Sequence, residues 1–411
     1  MPLWRRSLWV IAAANFVTMV GMSAFIPFFP DVLREMGVTG DGALKVWSGL
    51  LTAAAPLSAA FMGPIWGALG DRYGRKVMVT RSLAAIAVFV GLMGVVTAPS
   101  VRSGLGLSGW WITPWPLLLL RFGQGIFSGF IAPALTLVSE GAPADRQGRM
   151  TSVSQTALVA GTVVGPALGA WIGAHGGPHL AFLACAGTAA LATLGVVALA
   201  SDATEREVER RSPWKALGRA WTDSRRILVV GGLPALLVAL FLIQTANTLV
   251  GPVLRLHVEG FEGLSPGRML EVAGYAFSAS ALGQILFAQP WGIWTDRVGA
   301  RRSLPVTTAL AAAVCIPLAR AHSADTFLGL RFLQGALAAG TVPAAYAYVG
   351  RITKAKRRGG AFGMALAAFQ LASVAGATAG GLLAAAFGTQ PLFYLSGGLL
   401  ALAALWTWSR L

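Results

Sequence analysis

A chain that lays down one apolar stretch of about twenty residues after another has few folds open to it, because ~20 residues of helix are what ~30 Å of hydrocarbon requires. Twelve such stretches can be read: Leu8–Phe29, Val46–Leu69, Val77–Ala98, Leu117–Val138, Thr151–Gly173, Leu180–Ala200, Ile227–Val250, Glu271–Thr295, Ser303–Ala321, Thr326–Val349, Ala361–Phe387 and Leu392–Trp408. Of the 411 residues 55% are hydrophobic and only 12% charged, so no large water-soluble domain fits beside the spans. The expected class is an all-α polytopic membrane protein with twelve transmembrane helices, since helices satisfy their backbone groups internally.

The net charge of +16 raises the question of a nucleic-acid partner, and the placement of the charges answers it. With these spans, 24 of the 32 lysines and arginines fall on the side that holds both termini and 6 on the other, while Arg121 and Arg331 lie within spans. This is the positive-inside pattern, which puts both termini in the cytoplasm and makes membrane lipids, not nucleic acid, the neighbours of those cations. Cys185 and Cys315 each sit in an apolar span and read as packing residues. Leu8–Phe29 is too long for the apolar core of a cleaved leader, so it reads as the first span.

The chain repeats itself. GPIWGALGDRYGRK (Gly63 to Lys76) returns as QPWGIWTDRVGARR (Gln289 to Arg302), with Asp71 and Asp296 separated by 225 positions. In the first copy Gly67, Gly70 and Gly74 allow a tight turn between helices, and Asp71 can accept hydrogen bonds at a helix N-terminus. Arg72, Arg75 and Lys76 can grip a carboxylate such as Glu140, which would make the elbow a conformational gate, with Asp296, Arg297 and Arg301 as its second copy. Simple anchoring of cations on the cytoplasmic side is the alternative. LRFGQGIFSGF around Arg121 likewise returns as LRFLQGALAAG around Arg331, at an offset of 210. The polar stretch Ser201–Arg226 divides the copies, giving an N-terminal six-helix bundle (1–200), a cytoplasmic linker (201–226) and a pseudo-symmetric C-terminal six-helix bundle (227–411).

Embedding an arginine in a bilayer costs at least ~2.5 kcal/mol, so Arg121 and Arg331 must face protein or a watery cavity. Other polar or polarisable residues in the spans are Asn15, Met19 and Met22 at helical spacing, then Gln124 and Gln155. The second half adds Gln244, Asn247, Gln284, Gln334, Phe369 and Gln370. They are candidates for a substrate cavity, with bridging between helices as the other reading. Gly161, Gly165, Pro166 and Gly169 offer a flat face for another helix and a bend where proline removes a donor.

These motifs resemble the major facilitator superfamily over essentially the whole chain, and in particular its twelve-helix multidrug:proton antiporter branch. Gly67, Leu69, Asp71, Arg72, Gly74, Arg75 and Lys76 fit the superfamily's loop pattern G-x-L-x-D-r-x-G-r-k. Gly292, Asp296, Arg297, Gly299, Arg301 and Arg302 fit its second copy; Arg121, Gln124 and Gly125 fit R-x-x-q-G. Gly161, Gly165, Pro166 and Gly169 resemble the exporter signature of the fifth span, with Ala170 in place of its last glycine, and GVTGDGALKVWSG is similar to bacterial MdtG-type exporters. The resemblance implies a bacterial inner-membrane transporter, functional as a monomer, that exports small amphiphilic or drug-like molecules by alternating access, using protons and no bound cofactor. A lipid or lysolipid flippase or an uptake carrier would share the fold. An intramembrane enzyme would need clustered His, Asp, Glu or Ser in the spans. His175, His179, His257 and His322 show no such grouping and no metal-ligand spacing, and a receptor would move no substrate.

One expectation runs against the resemblance. None of the sixteen acidic residues falls in mid-span, so Asp31 at the outer mouth, with Arg121 as electrostatic partner, is the candidate for proton coupling. Two arginines and no acid inside the membrane favour a neutral, zwitterionic or anionic amphiphile over a lipophilic cation.

Overall fold

Glycine, proline and the charged elbows decide where the apolar stretches turn into separate helices. A computed structural model describes residues 3–104, 113–141, 147–200, 231–353 and 355–411, and every regular element among them is helical. The linker expected at 201–226 and the start of the seventh span lie outside the described residues. In chain order the helices are α1 (Leu3–Ala24), α2 (Phe29–Glu35), α3 (Asp41–Tyr73), α4 (Arg75–Thr97), α5 (Pro99–Gly104), α6 (Trp115–Phe127), α7 (Ile131–Gly141), α8 (Gln147–Gly176) and α9 (Pro178–Leu199). There follow α10 (Leu233–Leu249), α11 (Leu254–Val258), α12 (Pro266–Val298), α13 (Ala300–Ala319), α14 (Ala324–Ala338), α15 (Thr341–Ile352), α16 (Ala355–Phe387) and α17 (Gln390–Arg410).

Among the described residues ten helical segments are long and apolar enough to cross a bilayer. The other two expected spans, Leu117–Val138 and Thr326–Val349, are the ones that carry Arg121 and Arg331, and neither is a single helix. The first is split into α6 and α7, the second into α14 and α15. A proline follows each break and favours it, since proline lacks an N–H and its ring clashes with the carbonyl four residues earlier, although Pro166, Pro290, Pro305 and Pro317 sit inside helices that continue. For Pro133 that carbonyl belongs to Gly129 (φ +113°), and for Pro343 to Ala339; each lies in its break, 210 positions apart.

The chain divides into two compact units, Met1–Gly37 with Leu57–Leu217, and Val38–Pro56 with Gly218–Leu411. In the first, α1 lies against α8 and α9, while α4 packs on α9 and α6. The expected glycine face of α8 is pressed onto α1: a side chain at Gly161 would meet Met19 and Phe16, at Gly165 Ser23 and Val20, and at Gly169 Ala24. The helix runs unbroken through Pro166. In the second unit α10 packs on α16 and α17, α13 on α17, and α12 on α14. Gly376 and Gly380 of α16 abut Thr245, Thr248 and Leu249 of α10, while Gly49 of the 38–56 segment abuts Ala377 and Gly381.

The outer surfaces are apolar. On α9 Leu191, Leu194 and Val197 are exposed, as are Leu402, Leu405 and Trp408 on α17. Exposure of large aliphatic side chains in continuous rows requires an apolar solvent, and here that solvent is lipid. α3, α12 and α16 each have 33 residues, about 50 Å at 1.5 Å per residue, against ~30 Å of hydrocarbon, so one end of each reaches beyond the membrane core.

Candidate functional site

The two elbows are the same object in backbone terms. α3 and α12 start and stop at equivalent repeat positions, and a single glycine separates each from the next helix: Gly74 at φ 91°, ψ 154° and Gly299 at φ 85°, ψ 149°. Other residues avoid this region at a cost of about 1–3 kcal/mol. Gly74→Ala and Gly299→Ala are therefore each expected to lower the thermal midpoint of the detergent-solubilised protein by an amount equivalent to ~1–3 kcal/mol. Midpoints unchanged in both variants would count against a glycine requirement at the turn.

Around the first elbow, Lys76 Nζ donates to the carbonyl of Val197 at 2.9 Å and Arg6 Nη2 to that of Ala198 at 3.2 Å. Both carbonyls belong to the last turn of α9, whose unsatisfied acceptors and dipole favour a cation. Lys76 thus has a helix terminus as partner in addition to any carboxylate. The surroundings of Gly67 and Gly70 and the side chains of Asp71, Arg72 and Glu140, with the carboxylate grip expected of them, lie outside the described residues. In the second elbow Asp296, Arg297 and Arg301 are exposed and form no ion pair among the described residues.

The repeated arginines stand one turn or more before the helix breaks. Arg121 Nη1 donates to Gln124 Oε1 at 2.6 Å, and Arg331 Nη1 to Gln334 Oε1 at 2.7 Å. Breaking a helix orphans carbonyls whose acceptor role would go to the N–H four residues on. Two such carbonyls are those of Ile126 and Ala336, and in each unit a tryptophan supplies the missing donor: Trp66 Nε1 to Ile126 O at 2.5 Å and Trp291 Nε1 to Ala336 O at 2.8 Å. These tryptophans sit 225 positions apart in the elbow-bearing helices. Trp66 is thus a capping group for a broken helix. Arg81 stacks on it, with its guanidinium carbon 3.3 Å from the ring centroid, and donates to Phe127 O at 3.5 Å.

The remaining polar candidates divide by what they touch. Asn15 is buried and donates to Ser154 Oγ of α8 at 2.8 Å, and Gln244 donates to Ser373 Oγ of α16 at 2.9 Å, so both bridge helices. Met19 packs against Gly161. Met22, Phe369 and Gln370 are partly buried, whereas Gln155, Asn247 and Gln284 are exposed. Asp31 pairs with Arg34 at 3.5 Å in the short helix α2, beside Phe29. Phe25 and Phe29 close over Arg121, their ring centroids 5.1 and 5.4 Å from its guanidinium carbon. Sequence reasoning missed the Trp66 and Trp291 caps and the breaks they serve. The signal was present in Pro133 and Pro343, which recur at the offset of the arginines.

A duplicated set of apolar helices, two elbows of matching backbone and two broken arginine-bearing spans fit a fold of the inverted- or parallel-repeat kind. The model of the Major Facilitator Superfamily matches residues 11–270 and 236–411, which together take in nearly the whole chain. The chain belongs to the major facilitator superfamily. It is 27% identical over 412 residues to multidrug resistance protein MdtG of Dickeya zeae (strain Ech586), covering 99% of this chain and 95% of that one. Among solved structures it resembles a bacterial homologue of the human lysosomal transporter Spinster in an inward-facing, occupied conformation, with a TM-score of 0.77 and 13% identity over 100% of this chain and 97% of that one. A D-xylose–proton symporter matches with a TM-score of 0.74 and 18% identity over 100% and 98% of the two chains. As a major facilitator the protein is a membrane-spanning secondary transporter of a small molecule and not an enzyme.

Proposed function

We propose that the protein is a proton-coupled exporter of small amphiphilic, drug-like molecules, working by alternating access as a monomer in a bacterial inner membrane with both termini in the cytoplasm. The observation that carries this reading is the end-to-end likeness to an MdtG multidrug resistance protein, which takes in both elbows and both arginine-bearing spans. The proton gradient is the energy source in this reading, since the sequence has no glycine loop ending in Lys-Ser or Lys-Thr to hold a nucleotide. Asp31 is the coupling carboxylate: in the pair with Arg34, it sits at the first turn of α2 on the same short segment as Phe29, which covers Arg121. Protonation of Asp31 would weaken that pair and the favourable placement of an anion at a helix N-terminus, loosening the segment over Arg121.

The test is efflux from proteoliposomes under an imposed pH gradient. A gradient of one unit supports up to about tenfold accumulation per proton exchanged. Wild type is expected to respond to it, Asp31→Asn to transport without responding, and Arg121→Ala to lose most flux. Wild-type flux indifferent to the gradient would rule out antiport.

A further inference from the structure

The two units treat their embedded arginines differently. Arg121 is 6% exposed, closed over by Phe25 and Phe29 in a cation–π enclosure. Arg331 is only partly covered, and among the described residues it has no ion pair and no aromatic ring against it. Among the described residues its one hydrogen bond is Nη1 to Gln334 Oε1, and its Nε is buried without an acceptor. A guanidinium carries five donors and a full charge, and an amide oxygen neutralises none of that charge. At depth in a membrane protein such a group calls for an anionic partner.

The arginine is also held in place. Gln334, 9% exposed, donates through Nε2 to Cys315 Sγ of α13 at 3.3 Å. The thiol lies 4.0 Å from Ser396 Oγ of α17, and Ser396 donates to Ala246 O of α10 at 2.9 Å. Four helices therefore fix the Gln334 amide, and that amide orients the guanidinium. A fixed guanidinium with free donors recognises carboxylate or sulfonate oxygens through paired, charge-assisted hydrogen bonds.

We propose that Arg331 is the anion-recognising residue of the substrate site, that it meets the carboxylate or sulfonate of an anionic amphiphile, and that Gln334 positions it. The proposal rests on the exporter reading and names its substrate class. Arg121, sealed by its two phenylalanines, is not the ligand-facing arginine.

Naphthalenesulfonate, naphthalenesulfonamide and trimethylnaphthylammonium differ in charge on one ring system and serve as probes. Equilibrium binding to the full-length protein in detergent, and flux in proteoliposomes, are measured with each. Wild type is expected to favour the sulfonate; Arg331→Gln weakens sulfonate binding and kcat/KM tenfold or more while leaving the sulfonamide within twofold, and Arg331→Lys recovers part of the loss. Gln334→Leu raises KM for the sulfonate alone, with kcat unchanged. Sulfonate binding equal in wild type and Arg331→Gln, a wild-type preference for the ammonium compound, or displacement of the sulfonate by phosphatidylglycerol in the vesicles would each overturn the assignment. Arg331-dependent binding without flux of any probe would sink the exporter reading and leave the anion site standing. Flux of all three probes independent of Arg331 would do the reverse.

Discussion

Gly335→Ala is expected to leave little correctly folded protein although it adds one methyl group. Gly335 lies in α14 where that helix crosses α12, and a Cβ there would overlap the Ser280 carbonyl and come within 2.8 Å of Ser280 Cα. On the other side of the same crossing Gly283 meets Phe332 O and Ala336 N. Two backbones in such contact can admit a side chain only by moving apart, and overpacking against backbone costs about 3 kcal/mol or more. Small residues are what let membrane helices approach so closely, because lipid supplies no hydrophobic force to hold them together otherwise. Gly329, two turns earlier in α14, has nothing within 4 Å of its would-be Cβ. Gly329→Ala should accordingly be neutral or gain about 0.5–1 kcal/mol from reduced backbone freedom. The check is the yield and thermal midpoint of monodisperse protein in detergent. Similar behaviour of the two variants would refute the close crossing.

Trp291→Phe should cost more stability than Trp66→Phe, even though the two residues occupy equivalent positions. Phenylalanine keeps most of the ring but removes the indole donor, and the Ala336 or Ile126 carbonyl is then left without its partner in apolar surroundings. An orphaned buried acceptor costs about 1–3 kcal/mol. In the first unit Arg81 stacks on the ring at 3.3 Å and donates to the neighbouring Phe127 carbonyl, so a second donor is already at the break. In the second unit the repeat-equivalent position is Val306, which has no donor to offer. The thermal midpoint should fall further for Trp291→Phe, and flux should fall with it because the cap holds the broken helix that carries Arg331. A larger loss for Trp66→Phe would show that Arg81 does not compensate.

The breaks were only partly legible in the residues, because proline alone does not end a helix here: the helices run on through Pro166, Pro290, Pro305 and Pro317, and it is the repetition of a proline at the offset of the arginines that marks these two. Hydropathy windows average over some twenty residues and pass through a break whose flanks are equally apolar, which is why Leu117–Val138 and Thr326–Val349 read as single spans. Pro133 and Pro343, at the same offset as Arg121 and Arg331, carried the correction. Asn15 and Gln244 illustrate the opposite case. A lone amide in an apolar helix reads equally as cavity lining or as a bridge, and only the neighbouring helix decides. Here Ser154 and Ser373 take those amides, and both residues hold helices together.

The sequence by itself determined the all-helical membrane class, the duplication, the elbow glycines and the family, because each is written in local composition or in fixed spacings along the chain. The tertiary structure alone decided which of two near-identical arginines is enclosed and which is left with a buried, unmatched N–H. The physical reason is that Arg-x-x-Gln creates the same hydrogen bond within its own helix in both copies, while the enclosure comes from elsewhere. Phe25 and Phe29 reach Arg121 from nearly a hundred residues away in the chain, and the second copy has no ring at that distance from Arg331 among the described residues.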